Sequence, residues 1–179
     1  MSTRQNRIIV GTILFAFLLS GTVFTQEKKQ KVEAPQLTIE QKWKRAMSNL
    51  TSIFIASIAY AKSQGKSPSH YGKYMGELFA TTWEGVKGVT GFIEAMHWNW
   101  QMWEDFQIEV LEESENFYKA KIKGIGEKYV TGWPEAGVTL NEYYNCMEQL
   151  MNQITKSLGL EYKQKVEGDW MVFTVTEKK

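Results

Sequence analysis

Apolar positions along this chain recur with two periods, one of three to four residues and one of two, and the changes between them mark out its elements. Trp43, Met47, Leu50, Phe54 and Ile58 step by threes and fours, which predicts a helix with one apolar face ending near residue 63. Thr38 and Gln41 stand at capping-box spacing where that helix would begin. Gln64, Gly65 and Lys66 break the pattern, and Ser67 and Pro68 restart it with an N-cap and a proline in the first turn. The predicted apolar stripe of this second helix is Tyr71, Tyr74, Met75, Leu78, Phe79 and Thr82. Gly72 and Gly76 lie one turn apart within it. Each costs ~1 kcal/mol of helix propensity relative to alanine, so both are expected to admit a close neighbour.

The next segment supports two readings. Met96, Trp98, Trp100 and Met102 alternate, as in a strand. Taken from further back, Val86, Val89, Ile93, Met96, Trp100 and Trp103 sustain a helical stripe, and this longer pattern predicts a helix over residues 85–103. Trp100 and Trp103 then face the core, while His97 and Trp98 fall off the stripe. Gly85, Gly88 and Gly91 are read onto the same helix, where missing side-chain bulk implies tight packing or room for a ligand.

Period two follows. Phe106, Ile108 and Val110 alternate with polar residues, as do Tyr118, Ala120 and Ile122 after a turn at residues 113–116, which predicts an antiparallel hairpin. Residues 124–138 read as a loop containing Trp133 and Pro134. Thr139 and Glu142 form a second capping box, opening a helix with Leu140, Tyr143, Met147, Leu150, Ile154 and Leu158 on one face and Gly159 at its exit. Residues 160–166 and 170–175 complete a second hairpin around Gly168. There is no βαβ alternation. The fold class expected is α+β, with helices packed on one face of a four-stranded antiparallel sheet made of two hairpins.

Composition refines this picture at few points. The 179 residues, 43% hydrophobic and 23% charged, predict a single globular α+β domain over residues 38–179. A formal charge of +1 gives no electrostatic case for a nucleic-acid partner. At the N-terminus, Arg4 and Arg7 precede an uncharged apolar run at residues 8–24. Residues 1–25 are therefore expected to be a signal peptide or an N-terminal membrane anchor, followed by a polar tether at residues 26–37. Either reading makes the domain extracytoplasmic, and an anchor would tether it to the membrane through residues 8–24.

Residues 106–176 resemble the 4-vinyl reductase-type small-molecule-binding domains and the related L-2-amino-thiazoline-4-carboxylic acid hydrolase-like proteins. The resemblance rests on the strand pair, the helix around Asn145, Cys146 and Met147, the exit at Leu158 and Gly159, and the closing residues 167–173. It implies a pocket between helices and sheet. Those proteins tend to carry a cysteine where the second strand ends and another before the closing phenylalanine. This chain has Gly124 at the first place and Met171 and Val172 at the second, so no catalytic thiol is implied.

Candidate chemistry is sparse. Cys146, the sole cysteine, excludes an intramolecular disulfide, and with only two histidines besides it leaves no soft-metal site. No cofactor motif is present: Gly124-Ile125-Gly126 is too short for a phosphate cradle. Cys146 with His97 would make a nucleophile and base, but a small buried hydrophobe and a satisfied histidine are the simpler roles. Seven tryptophans exceed what a core of this size needs, and Trp98, Trp133 and Trp170 leave their stripes. The expected ligand-binding set is His97, Trp98, Trp133, Tyr144 and Cys146, around an aromatic-lined pocket between residues 85–103 and the hairpins. The function expected is an exported domain that binds an apolar or aromatic small molecule. A hydrolase working in the same pocket and a membrane-tethered protein-interaction module are the alternatives.

Overall fold

Local capping chemistry starts three of the four long helices. A computed structural model describes residues 35–178, and the expected leader and most of the tether lie outside the described residues. Helix α1 (Ile39–Ser63) opens with the Thr38 hydroxyl accepting the Gln41 N–H at 3.1 Å, while the Gln41 side-chain oxygen accepts the Thr38 N–H at 2.9 Å. In α2 (Pro68–Ala80), the Ser67 hydroxyl accepts the His70 N–H at 3.1 Å, with Pro68 at the first turn. A single 3-10 turn at Thr81–Trp83 leads into α3 (Gly88–Trp100). Strands β1 (Gln107–Ser114) and β2 (Phe117–Lys123) come next, then the short helix α4 (Glu127–Thr131). Helix α5 (Leu140–Ser157) and strands β3 (Leu160–Glu167) and β4 (Trp170–Glu177) complete the chain. Among the described residues, no helix is long and apolar enough to cross a membrane.

The sheet order is β1-β2-β4-β3, antiparallel throughout, so β2 and β4 join two hairpins. Register puts Tyr118, Ala120 and Ile122 opposite Val175, Phe173 and Met171, and all six are buried under the helices. The intervening residues form the outer face, where Lys119 and Lys121 stand opposite Thr174 and Val172. Helix α5 lies against β3, and α3 against β2 and β4, while α1 and α2 pack on α5. At the centre, the Phe173 ring sits 5.3 Å from Trp100 and 5.9 Å from both Tyr118 and Tyr162, and Phe106 stacks on Trp100 at 5.7 Å. The expected fold class is the observed one.

Several details differ from the sequence reading. Helix α3 is shorter than residues 85–103. Gly85 and Gly88 adopt φ of 95° and 66° and turn the chain into it, and an added Cβ at Gly85 or Gly91 would meet no tight contact. Tight helix packing is therefore not what these glycines provide. The stripe itself holds from Val89 to Trp100, but Trp103 lies beyond the helix and is half-buried. On α1, Leu50 is 52% exposed, and Thr51 takes its place in the core by donating its hydroxyl to the Met47 carbonyl at 2.8 Å. On α2, Tyr74, Leu78 and Phe79 face outward, and the buried side is Gly72 and Gly76. The expected loop at residues 124–138 contains α4 and a 3-10 turn at Pro134–Ala136.

The expectation for Gly72 and Gly76 holds strongly. A Cβ on Gly72 would lie 2.1 Å from the Cys146 carbonyl oxygen, and one on Gly76 would lie 2.5 Å from that of Leu150. The two backbones meet directly. At the other end of α5, the Thr139–Glu142 capping box is formed, and Lys62 of α1 reaches Glu142 at 2.7 Å. That ammonium, with the Thr139 N–H, holds the Glu142 carboxyl below its usual range.

Gly72→Ala should destabilise the protein by ~3 kcal/mol, because a methyl group on a backbone-to-backbone contact forces the helices apart. Gly91→Ala should instead stabilise it by ~0.5–1 kcal/mol, since the site is helical and open. Urea melts of the two variants check this; equal effects would contradict the packing. For Glu142, a depressed folded pKa means its stabilisation is present above the unfolded value of ~4.3 and lost as pH falls through the folded one. Glu142→Gln should lower the urea midpoint at neutral pH, and the gap to wild type should narrow as pH falls from the unfolded value through the depressed folded one. A gap that stays constant with pH would show that the Lys62 pairing contributes nothing.

Candidate functional site

Two glycines shape a cleft beside α1 and α5. β2 ends at Gly124, whose φ of 79° turns the chain, and a Cβ there would sit 2.0 Å from the Asp105 carbonyl oxygen. At Gly126, φ is 113°, and a Cβ would lie 2.7 Å from the Tyr143 hydroxyl and 3.2 Å from the Trp103 ring. Only glycine lets this segment pass so close to both rings. Tyr143 donates its hydroxyl to the Ile125 carbonyl at 2.7 Å, which pins the turn to α5. Burial pushes the Tyr143 phenol well above its ordinary pKa, so it remains a donor.

The resulting cleft encloses about 470 Å³. Trp43 and Met47 of α1 line one side, and Trp103 with Glu104 and Asp105 another. α4 contributes Glu127 and Tyr129, α5 contributes Leu140 and Tyr144, and the β3–β4 turn adds Gly168 and Asp169. Its volume lies within the range of small-molecule sites, and its walls combine four aromatic rings, Trp43, Trp103, Tyr129 and Tyr144, with a rim of charged side chains.

Polar groups in the cleft fall into two sets. In the first, Lys44 pairs with Glu104 at 2.7 Å, and Lys128 with Glu104 at 3.5 Å and with Asp105. The Lys44 contact holds the Glu104 carboxyl below its usual range, and the Asp105 contact raises Lys128. In the second, the Tyr144 hydroxyl donates to one Glu127 oxygen at 3.0 Å. The other Glu127 oxygen is buried with no hydrogen-bond partner. Burial first, then the charge of Glu127, drives the Tyr144 phenol far above its ordinary pKa, so it too stays protonated. Behind Tyr144, Gln164 donates to its backbone carbonyl at 3.0 Å and accepts from Tyr162 at 2.8 Å. This chain of contacts ties the site to the sheet.

Compared with protein-family models and with curated proteins, the sequence gives no match. The site is therefore read from its own geometry.

Of the five expected ligand-binding residues, only Tyr144 lines this cleft. His97 and Trp98 border a separate depression between α3 and the first hairpin. The His97 Nε2 is buried there without a partner, while Trp98 is 82% exposed. Trp133, 38% exposed before the 3-10 turn, lines none of the clefts described here, and neither does Cys146. The interior between α3 and the sheet is filled by the ring cluster around Phe173, and the space between α3 and the first hairpin is that depression of about 530 Å³, which holds His97 and Trp98 but not Trp133, Tyr144 or Cys146. A second, apolar groove runs between α3 and α5, floored by Met96, Trp100, Met147 and Met151, with Trp103 on the rim it shares with the first. Trp170 lies beneath Lys121 and Lys123, whose ammonium groups sit 4.9 and 4.5 Å from its ring centre.

Sequence reasoning missed Trp43, Trp103, Glu127, Tyr129 and Asp169. A usable signal was present: Gly124 and Gly126 bracket one residue just after a strand, which marks a sharp turn next to Glu127. Among the described residues, no three of His, Cys, Asp and Glu converge as metal ligands would.

Cys146 is fully buried, and loss of solvation pushes its thiol up to about 12. Thiolate, not thiol, is the reactive form. Alkylation of the native full chain by iodoacetamide at neutral pH should therefore be no faster than global unfolding. Rapid labelling without unfolding would mean that the thiol is accessible and ionised.

Proposed function

We propose that this chain is an exported small-molecule-binding domain that holds an apolar or aromatic compound in the cleft beside Tyr144. The observation that carries this reading is the cleft itself, with Trp43, Trp103, Tyr129 and Tyr144 around about 470 Å³. Rings of this kind contribute large apolar area with few rotatable bonds, and offset or edge-on stacking adds ~1 kcal/mol per aromatic pair. The Tyr144–Glu127 pair on its wall supplies polar groups that can orient a ligand. Export rests on Arg4 and Arg7 ahead of the apolar run at residues 8–24. The resemblance of residues 106–176 to the 4-vinyl reductase-type domains belongs to the same proposal. Against the hydrolase alternative, a buried, protonated Cys146 offers no nucleophile.

Asn141 is exposed at the cleft margin on the first turn of α5, so a bulky replacement there fills the cleft without entering the core. Titration of the full chain with 2-phenylethanol, followed by tryptophan fluorescence, should give saturable binding. Asn141→Trp should weaken it by at least about tenfold, the scale of losing one well-packed aromatic contact. Absence of saturable binding, or an unchanged affinity in Asn141→Trp, would sink the assignment.

A further inference from the structure

The charges lining the cleft are unevenly neutralised, and what they imply about the ligand rests on the small-molecule reading above. Lys44, Lys128, Glu104 and Asp105 form one paired network. Lys123, the remaining lysine of the cleft, is engaged with the Trp170 ring at 4.5 Å. Glu127 and Asp169 have no ion-pair partner among the described residues. Both line the same cleft as Tyr144, whose hydroxyl donates to Glu127. A buried carboxylate oxygen without a donor, as at Glu127, is destabilising until a donor arrives.

We propose that the cleft selects an organic cation, a small molecule with an ammonium group beside Glu127 and Asp169 and an apolar body against Trp43 and Trp103. Tyr144 keeps one Glu127 oxygen occupied at 3.0 Å, so the second is the one left for the ligand. That oxygen is shielded from solvent and meets no donor of the protein, so the carboxylate's charge at the cleft wall is left uncompensated. The aromatic walls reinforce the choice, because the faces of Trp and Tyr rings attract cations and repel anions. A neutral aromatic compound uses the walls alone. An anionic one meets two unpaired carboxylates.

The test compares three probes of similar shape, 2-phenylethylamine, 2-phenylethanol and phenylacetate, by calorimetry on the full chain at neutral pH. The amine should bind about tenfold more tightly than the alcohol, the scale of a desolvated cation–aromatic contact, and phenylacetate should bind most weakly. Glu127→Gln keeps an acceptor for Tyr144 and removes the charge. It should cancel most of the amine's advantage over the alcohol. Asp169→Asn, in an exposed turn, should act in the same direction and decides the matter if Glu127→Gln does not melt cooperatively. Equal affinities for amine and alcohol would overturn the cation assignment and leave the aromatic cleft standing. An amine preference that survives both substitutions would overturn it as well. Binding of none of the three would remove both readings.

Discussion

Direct contact between the backbones of α2 and α5 is the constraint on which the rest of the structure depends. Gly72 and Gly76 sit against the carbonyls of Cys146 and Leu150, closer than any side chain permits. Because α5 also lies on β3 and carries the contacts to α1 and α4, fixing it fixes the helical layer over the sheet. The cost of two helical glycines, ~1 kcal/mol each relative to alanine, is offset by the dispersion contacts that close approach makes available. It has a second consequence. With its glycine side buried, α2 turns Tyr74 and Leu78 to the surface, 55% and 51% exposed.

The cleft inherits its order from the same helix. Tyr143 and Tyr144 are neighbours on α5 but point their hydroxyls to different tasks. One holds the Ile125 carbonyl and so the turn through Gly124 and Gly126; the other holds Glu127. Both phenols are kept protonated by burial, which makes each a fixed donor and not a titrating group. Glu127 is thereby presented on a rigid support, with one oxygen satisfied and one not. None of the cleft's lysines pairs with it: Lys44 and Lys128 are paired with Glu104 and Asp105, and Lys123 lies over the Trp170 ring. An uneven balance of this kind is a property of the folded arrangement, since the whole chain carries a formal charge of only +1.

Elements whose signals are local were legible in the sequence. Both capping boxes form as their spacing requires, because the bonds of Thr38 to Gln41 and Thr139 to Glu142 depend only on residues three apart. The alternation through Tyr118, Ala120 and Ile122 needed only a sheet with one buried face. The helical stripe from Val89 to Trp100 was read correctly over the competing alternation, since it persists over more steps. The short helix α4 was missed because five residues carry too little periodicity to stand out from a loop.

What the sequence alone determined, then, is the order of the long elements, the two hairpins and the α+β class, all consequences of hydrogen bonds and periods that operate within a few residues. Tertiary structure decided which faces were buried. Leu50 lost its core place to Thr51, whose hydroxyl satisfies itself on the Met47 carbonyl and so enters without an orphaned donor. Glycine carries no hydrophobic signal, so nothing in a pattern of apolar residues could mark Gly72 and Gly76 as the buried side of α2. The cleft was decided at the same level. Trp43, Trp103, Glu127, Tyr144 and Asp169 come from five separate segments, and their proximity is set by how α1, α4, α5 and the last hairpin pack, which no short-range pattern encodes.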